Sequence, residues 1–161
     1  SNVSVINTGL ETNTGGRLYK IRKLLDKNFI LTYGDGLANV NINSLVNFHF
    51  QHKNIGTVTV TNPTSRFGLV DFDRDFLIKK FTEKPKLDGF INMGFMVFKS
   101  EIFDFLNEDS VLESGPLMKL TEVNQLRAYV HDGYFEPMDT YREYLNLNKL
   151  WDTGEKPWTK F

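Results

Sequence analysis

The run Phe29-Ile30-Leu31-Thr32-Tyr33, closed by Gly34-Asp35-Gly36, constrains the fold of this chain more than any other stretch. Five β-forming residues in succession, without polar alternation, are the pattern of a strand covered on both faces, as in a parallel sheet. Before the run, Leu18, Ile21, Leu24 and Leu25 recur at helical spacing, and after it Ile42, Leu45, Val46 and Phe50 do the same. Helix, strand, helix is the unit of an α/β sheet, and such a sheet binds ligands beyond the carboxyl ends of its strands. Gly34-Asp35-Gly36 stands at an end of that kind.

The remainder continues the alternation. Thr57 to Thr61 alternates Thr and Val, Phe67 to Phe72 and Phe76 to Phe81 read as short strands, and Asp73-Arg74-Asp75 joins the last two as a hairpin turn. Ile91 to Lys99 is a further strand leading to Ser100, a helix N-cap for Glu101 to Leu106. Pro116 opens a helix carrying Leu117, Leu120 and Val123, and Ala128 to His131 reads as a strand. Thr140-Tyr141-Arg142-Glu143 has the form of a capping box ahead of Tyr144, Leu145 and Trp151. Val3 to Ile6 reads as a strand at the very start, an abrupt opening that suggests a piece of something longer. The expected fold is α/β, a mostly parallel sheet with an antiparallel hairpin inserted around residues 66 to 85. The 161 residues fit one domain, 1–161.

Charge and composition narrow the function classes. A formal net charge of −1 offers no clustered excess of Lys and Arg for a nucleic-acid polymer or an anionic membrane, so any phosphate chemistry is local. The absence of cysteine removes disulfides, thiol catalysis and thiolate metal sites. No apolar run approaches the roughly 20 residues of a membrane helix and no basic-then-apolar leader is present, so the expectation is a cytoplasmic protein.

Several residues can carry chemistry, each with a plainer alternative. Asp35 between glycines can hold a hard cation such as Mg²⁺, which takes one or two carboxylates with phosphate oxygens and water; Gly-Asp-Gly can equally be a turn. Asp139, ahead of the capping box, is by itself a residue that complements the helix dipole. It becomes a ligand only if Phe135 to Asp139 returns to the edge where Asp35 sits. Glu83-Lys84-Pro85 closes a strand, where Lys can neutralise a substrate phosphate and Glu can accept from sugar hydroxyls; an exposed ion pair is the alternative. Thr14-Gly15-Gly16-Arg17 opens the first helix and can present free N–H groups to a base edge or phosphate, or be simply a glycine-rich helix start. Gly94, after Asn92-Met93, marks close ligand approach or a bulge, and Arg66-Phe67-Gly68 a turn with one exposed cation. His49, His52 and His131 show no metal spacing and read as surface or capping residues.

Taken in order, these pieces resemble the sugar-1-phosphate nucleotidyltransferases, and within them the cytidylyltransferase branch acting on glucose 1-phosphate. The resemblance runs over nearly the whole chain: Asn7-Thr8-Gly9, Thr14-Gly15-Gly16-Arg17-Leu18, Leu31 to Gly36, Arg66-Phe67-Gly68, Glu83-Lys84-Pro85, Gly94-Phe95, Pro137-Met138-Asp139-Thr140 and Lys156-Pro157-Trp158. It implies a Rossmann-like nucleotidyltransferase sheet in which Asp35 and Asp139 hold Mg²⁺. It implies further that Lys84 meets the sugar phosphate, Glu83 and Asn92 the sugar hydroxyls, and Gly15 and Gly16 a pyrimidine edge. Thr14, Gly34, Arg66, Gly68 and Gly94 complete the implied substrate-binding set. The implied reaction joins CTP, or another nucleoside triphosphate, to a hexose 1-phosphate with release of pyrophosphate, in a homo-oligomer.

Departures from the family pattern set the limits. The family opens with a strand and a Gly-rich loop whose Arg and Lys grip the triphosphate, and this sequence has no counterpart, so the chain is expected to be the carboxy-terminal part of a nucleotidyltransferase, inactive or nearly so alone. Met93 and Phe135 replace smaller and larger residues of the pattern near the implied sugar pocket, and Glu113-Ser114-Gly115 is less acidic than its counterpart. A sugar-phosphate or nucleotide-sugar binding module without turnover, and an assembly domain built on its aromatic surface, are the competing readings.

Overall fold

A computed structural model describes residues 2–160. Its centre is the strand Ile91–Lys99, whose residues alternate between two cores because successive side chains of a strand point to opposite faces. Met96 and Phe98 face a core built with Leu18, Phe29, Val58, Ile102, Leu106, Leu112 and Leu120. Met93 and Val97 face a second core with Val40 and Leu45. Helices therefore cover both faces. α1 (Thr14–Lys20) and α3 (Pro116–Glu122) bring Leu18 and Leu120 to the first core, and α2 (Ile42–Gln51) brings Leu45 to the second.

In chain order the strands are β1 (Asn28–Thr32), β2 (Gly36–Ala38), β3 (Gly56–Thr61), β4 (Leu69–Phe72), β5 (Ile78–Thr82), β6 (Ile91–Lys99), β7 (Leu126–Val130) and β8 (Phe135–Pro137); α4 spans Tyr141–Asp152. The main sheet has the order β1-β6-β3-β7. β1, β3 and β7 run in one direction and β6 against them, so only β3–β7 pair in parallel while β6 pairs antiparallel on both sides. The inserted hairpin is β4–β5, with Asp73 Oδ1 accepting from the N–H groups of Asp75 and Leu77 in its turn. The small β2–β8 ladder is an element that the sequence pattern did not announce.

Four expectations are corrected. β1 is an edge strand rather than one covered on both faces: among the described residues it pairs only with β6, and Ile30 is 47% exposed. An apolar run reports what a strand is made of, not what lies beside it. Val3 to Ile6 forms no strand, and Val5 is 95% exposed. Ser100 does not cap by its side chain; residues Ser100–Phe105 form a 3₁₀ helix, and the Ser100 hydroxyl donates to Glu101. His49 is not a surface residue but fully buried at 0% exposure, its Nδ1 2.8 Å from Thr57 Oγ1, which also bonds His52 Nε2. Pro116 at the first turn of α3 and the Thr140 capping box stand as expected.

Candidate functional site

Asp35 lies just before β2 and Asp139 just after β8, and these two strands pair antiparallel with Gly36 opposite Pro137. The ladder is extended by one bond past that pair, from the N–H of Met138 to the carbonyl of Asp35 at 2.7 Å. Two acidic residues 104 positions apart are thereby brought to one end of one small ladder. Both are exposed, and a Cβ built on the neighbouring Gly34 would meet nothing within 4 Å, so a ligand can approach the backbone there.

Asp139 is held from behind. Its N–H donates to Glu143 Oε2 at 2.9 Å, and the N–H of Thr140 donates to the same oxygen at 2.8 Å. The N–H of Glu143 donates to Thr140 Oγ1 at 3.3 Å, closing the capping box at the start of α4. Glu143 Oε1 accepts from the Arg66 guanidinium. Burial pushes the Glu143 carboxyl up, but the backbone N–H donors of Thr140 and Asp139, with Arg66, outweigh it and leave the acid below its ordinary range. Glu136 goes the other way, raised by burial and then by the Glu143 charge.

Two cavities open on this ladder end. The first, about 730 Å³, is lined by Thr14, Arg17, Tyr33, Gly34, Asp35 and Glu113. Glu113 ties its walls together, accepting from the Thr14 hydroxyl at 2.9 Å and from the Tyr33 hydroxyl. Burial, followed by the Glu113 hydrogen bond and charge, pushes the Tyr33 phenol well above its usual range, so it stays a donor. The second cavity, about 720 Å³, collects Arg66, Lys84 and Arg142 with Glu136, Glu143 and Asn146. Three cations in the lining, of which Arg66 is paired with Glu143, suit a phosphate group.

The other expected residues are placed as follows. The Cα atoms of Gly15 and Gly16 are packed against Ser110 and Glu108, and the Gly16 N–H donates to the Ser110 carbonyl at 2.9 Å. Their evident task is to let α1 approach that turn. Gly94 has φ +78°, sits where the β3–β6 register shifts, and carries the Tyr33 ring against its Cα. Of the two meanings of a strand glycine, the bulge is the one found. Asn92 Oδ1 accepts from the Gly94 N–H at 2.8 Å, and Gly68 lies beneath the Phe81 ring with Glu83 beside it. Lys84 and Glu83 are exposed, and Lys84 holds φ 45°. Tyr33, Glu113 and Glu136 stood in the motifs but were not among the candidate site residues; Glu143 was visible only as a helix cap, through its spacing from Thr140.

Among the described residues no group of three or more His, Cys, Asp or Glu gathers to cage a metal, and no helix is long and apolar enough to cross a membrane. A donor set of two carboxylates beside an open backbone nonetheless fits a cation that keeps water and phosphate oxygens in its shell, as Mg²⁺ does.

Comparison with known proteins places this geometry in context. The sequence profile described as "Nucleotidyl transferase" matches residues 2–152. The glucose-1-phosphate cytidylyltransferase of Salmonella typhimurium is 40% identical over 161 residues, covering 98% of this chain and 62% of that protein. Its counterpart in Salmonella typhi is 39% identical with the same coverage. The chain thus spans about 62% of the length of these relatives. Among solved structures, HddC from Yersinia pseudotuberculosis superposes with a TM-score of 0.58 at 19% identity, over 86% of this chain and 62% of that one, which shows a shared fold.

Proposed function

The chain belongs to the nucleotidyl transferase family, and from that premise we propose that within its complete polypeptide it transfers a cytidylyl group from CTP to a hexose 1-phosphate. A phosphate oxygen of the sugar 1-phosphate attacks the α-phosphorus of the nucleotide in line, the bond to the β-phosphate breaks, and pyrophosphate leaves. Such a step needs position and charge neutralisation more than covalent chemistry by the protein. The observation that carries the reading is the Met138-to-Asp35 hydrogen bond, which extends the β2–β8 ladder and sets Asp35 and Asp139 at one end of it.

Asp35 and Asp139 would hold Mg²⁺, which supplies neutralisation of the phosphate oxygens when bound. Lys84, lining the second cavity with Arg66, fixes the sugar phosphate; the sugar hydroxyls are assigned to Glu83 and Asn92 on the family resemblance alone, since neither lines the first or the second cavity. Tyr33, kept protonated by burial, donates to Glu113 across the first cavity, where Thr14 and Gly34 border the space for the nucleotide; Gly15 and Gly16 lie outside its lining and hold α1 against the turn of Glu108 and Ser110. Arg66, Gly68 and Gly94 support this set through Glu143, Phe81 and Tyr33. A cytoplasmic setting and homo-oligomerisation belong to the same reading, the latter supported by the exposed apolar surface of the β4–β5 hairpin.

Calorimetric titration of this chain with Mg²⁺ and CDP-glucose tests the pocket. Binding that Asp35→Ala abolishes is the expected result, and no binding at millimolar ligand sinks the proposal. Pyrophosphate release by this chain alone is expected to be orders of magnitude below that of a full-length relative.

A further inference from the structure

We infer that Glu143 is a positioning residue that sets Arg66 and the Asp139-Thr140 turn as a single unit; this rests on the nucleotidyl-transfer reading above. A capping box needs from its acidic residue only one hydrogen bond, back to the N–H of the N-cap. Glu143 makes that bond to Thr140 and two more that capping does not call for, from the N–H of Asp139 at 2.9 Å and from the guanidinium of Arg66, 77 residues away. The residue is 8% exposed, so the carboxylate is shielded and its partners are not interchangeable with water. Oε2 fixes the backbone on which Asp139 stands, while Oε1 fixes a cation on the wall of the cavity that also holds Lys84. Glu136 lines the same cavity as Arg66 and feels its charge, so without the Glu143 carboxylate Arg66 would be drawn toward Glu136. The metal-binding turn and the sugar-phosphate wall are therefore registered to each other through one side chain.

Glu143→Gln keeps the size of the side chain but leaves a single oxygen. Whichever way the amide settles, either the two backbone N–H groups or Arg66 meets an NH₂ donor and is released. Thr140→Ala is the control: it removes the reciprocal cap accepted by Thr140 Oγ1 and leaves the carboxylate in place. Both variants of this chain are to be measured by thermal unfolding, by amide hydrogen exchange at Asp139 and Thr140, and by calorimetric titration with CDP-glucose in Mg²⁺. Both should lose similar stability. Glu143→Gln should speed exchange at the two amides about tenfold and weaken CDP-glucose about tenfold, while Thr140→Ala keeps its affinity within about twofold. Arg66→Lys should weaken binding too, and adding it to Glu143→Gln should bring little further loss, since the two act as one unit.

Equal loss of affinity in Thr140→Ala and Glu143→Gln would reduce Glu143 to a helix cap and overturn the inference. So would unchanged affinity in Glu143→Gln, or full additivity with Arg66→Lys. If the unaltered chain fails to bind CDP-glucose, the nucleotidyl-transfer reading is what fails. Exchange at Asp139 in the Arg66→Lys variant then decides the coupling by itself: faster exchange supports it, and unchanged exchange overturns it.

Discussion

Lys84 holds a backbone conformation that side chains seldom adopt, φ 45°, at an exposed position beside the second cavity. A non-glycine residue in that region carries roughly 1 kcal/mol of strain. Lys84→Gly is therefore expected to raise the melting temperature by a few degrees while weakening CDP-glucose, two measurements moving in opposite directions. The glycines divide just as clearly. A Cβ on Gly16 would run into the Glu108 carbonyl, whereas one on Gly34 meets nothing. Gly16→Ala should destabilise the chain by about 1–3 kcal/mol in urea unfolding, and Gly34→Ala should leave stability nearly unchanged. Sequence marked both glycines as candidates for ligand contact. It had no means of separating them, because the difference lies in a turn more than 90 residues away.

Among the elements, the β4–β5 hairpin is the one least covered by the rest of the molecule. Val70, Phe72, Phe76, Ile78 and Phe81 are all exposed, and the Phe72 and Phe76 rings stack on each other at 5.9 Å. A two-stranded ribbon is marginal alone, and an apolar patch of several large residues is usually an interface. Its charges are balanced within the ribbon: Lys79 pairs with Asp73 at 2.9 Å, and Lys80 stands opposite Asp71. The chain should accordingly self-associate in sedimentation experiments, and Phe72→Lys with Ile78→Lys should shift it toward monomer. The hairpin was legible because turn residues and short apolar runs are local signals. The β2–β8 ladder was not, since three residues a side carry no period of their own and the pairing depends on where β7 ends.

For the molecule as a whole, the buried His49 links stability to pH. Burial, then the neighbouring charges of His52 and Lys99, lowers its pKa from 6.5 to about 4. His52 moves in the same direction, through burial and the charges of Lys99 and Arg127. With the folded pKa depressed, the unfolded chain takes up protons first. The contribution is therefore complete above pH 6.5 and is lost as the pH falls toward 4. Unfolding free energies from urea titrations should decline across that window by a few kcal/mol, and His49→Leu should flatten the decline. The three-layer arrangement makes this possible: α2 lies on the face opposite α1 and α3, and His49 is sealed between it and β3.

The sequence by itself determined the alternation of helices and strands, the hairpin, the capping box and the family, because each rests on short-range periodicity or on motifs in a set order. It also singled out Asp35 and Asp139, although a turn explained the first equally well and a residue complementing a helix dipole explained the second better. The tertiary structure alone decided that β1 is an open edge among the described residues, that His49 is buried, and that β2 and β8 pair so as to bring the two acids to one end. It likewise turned the Glu143 of a capping box into the link between Asp139 and Arg66. These are contacts between residues far apart in the chain, and local propensity carries no record of what the fold lays beside a residue.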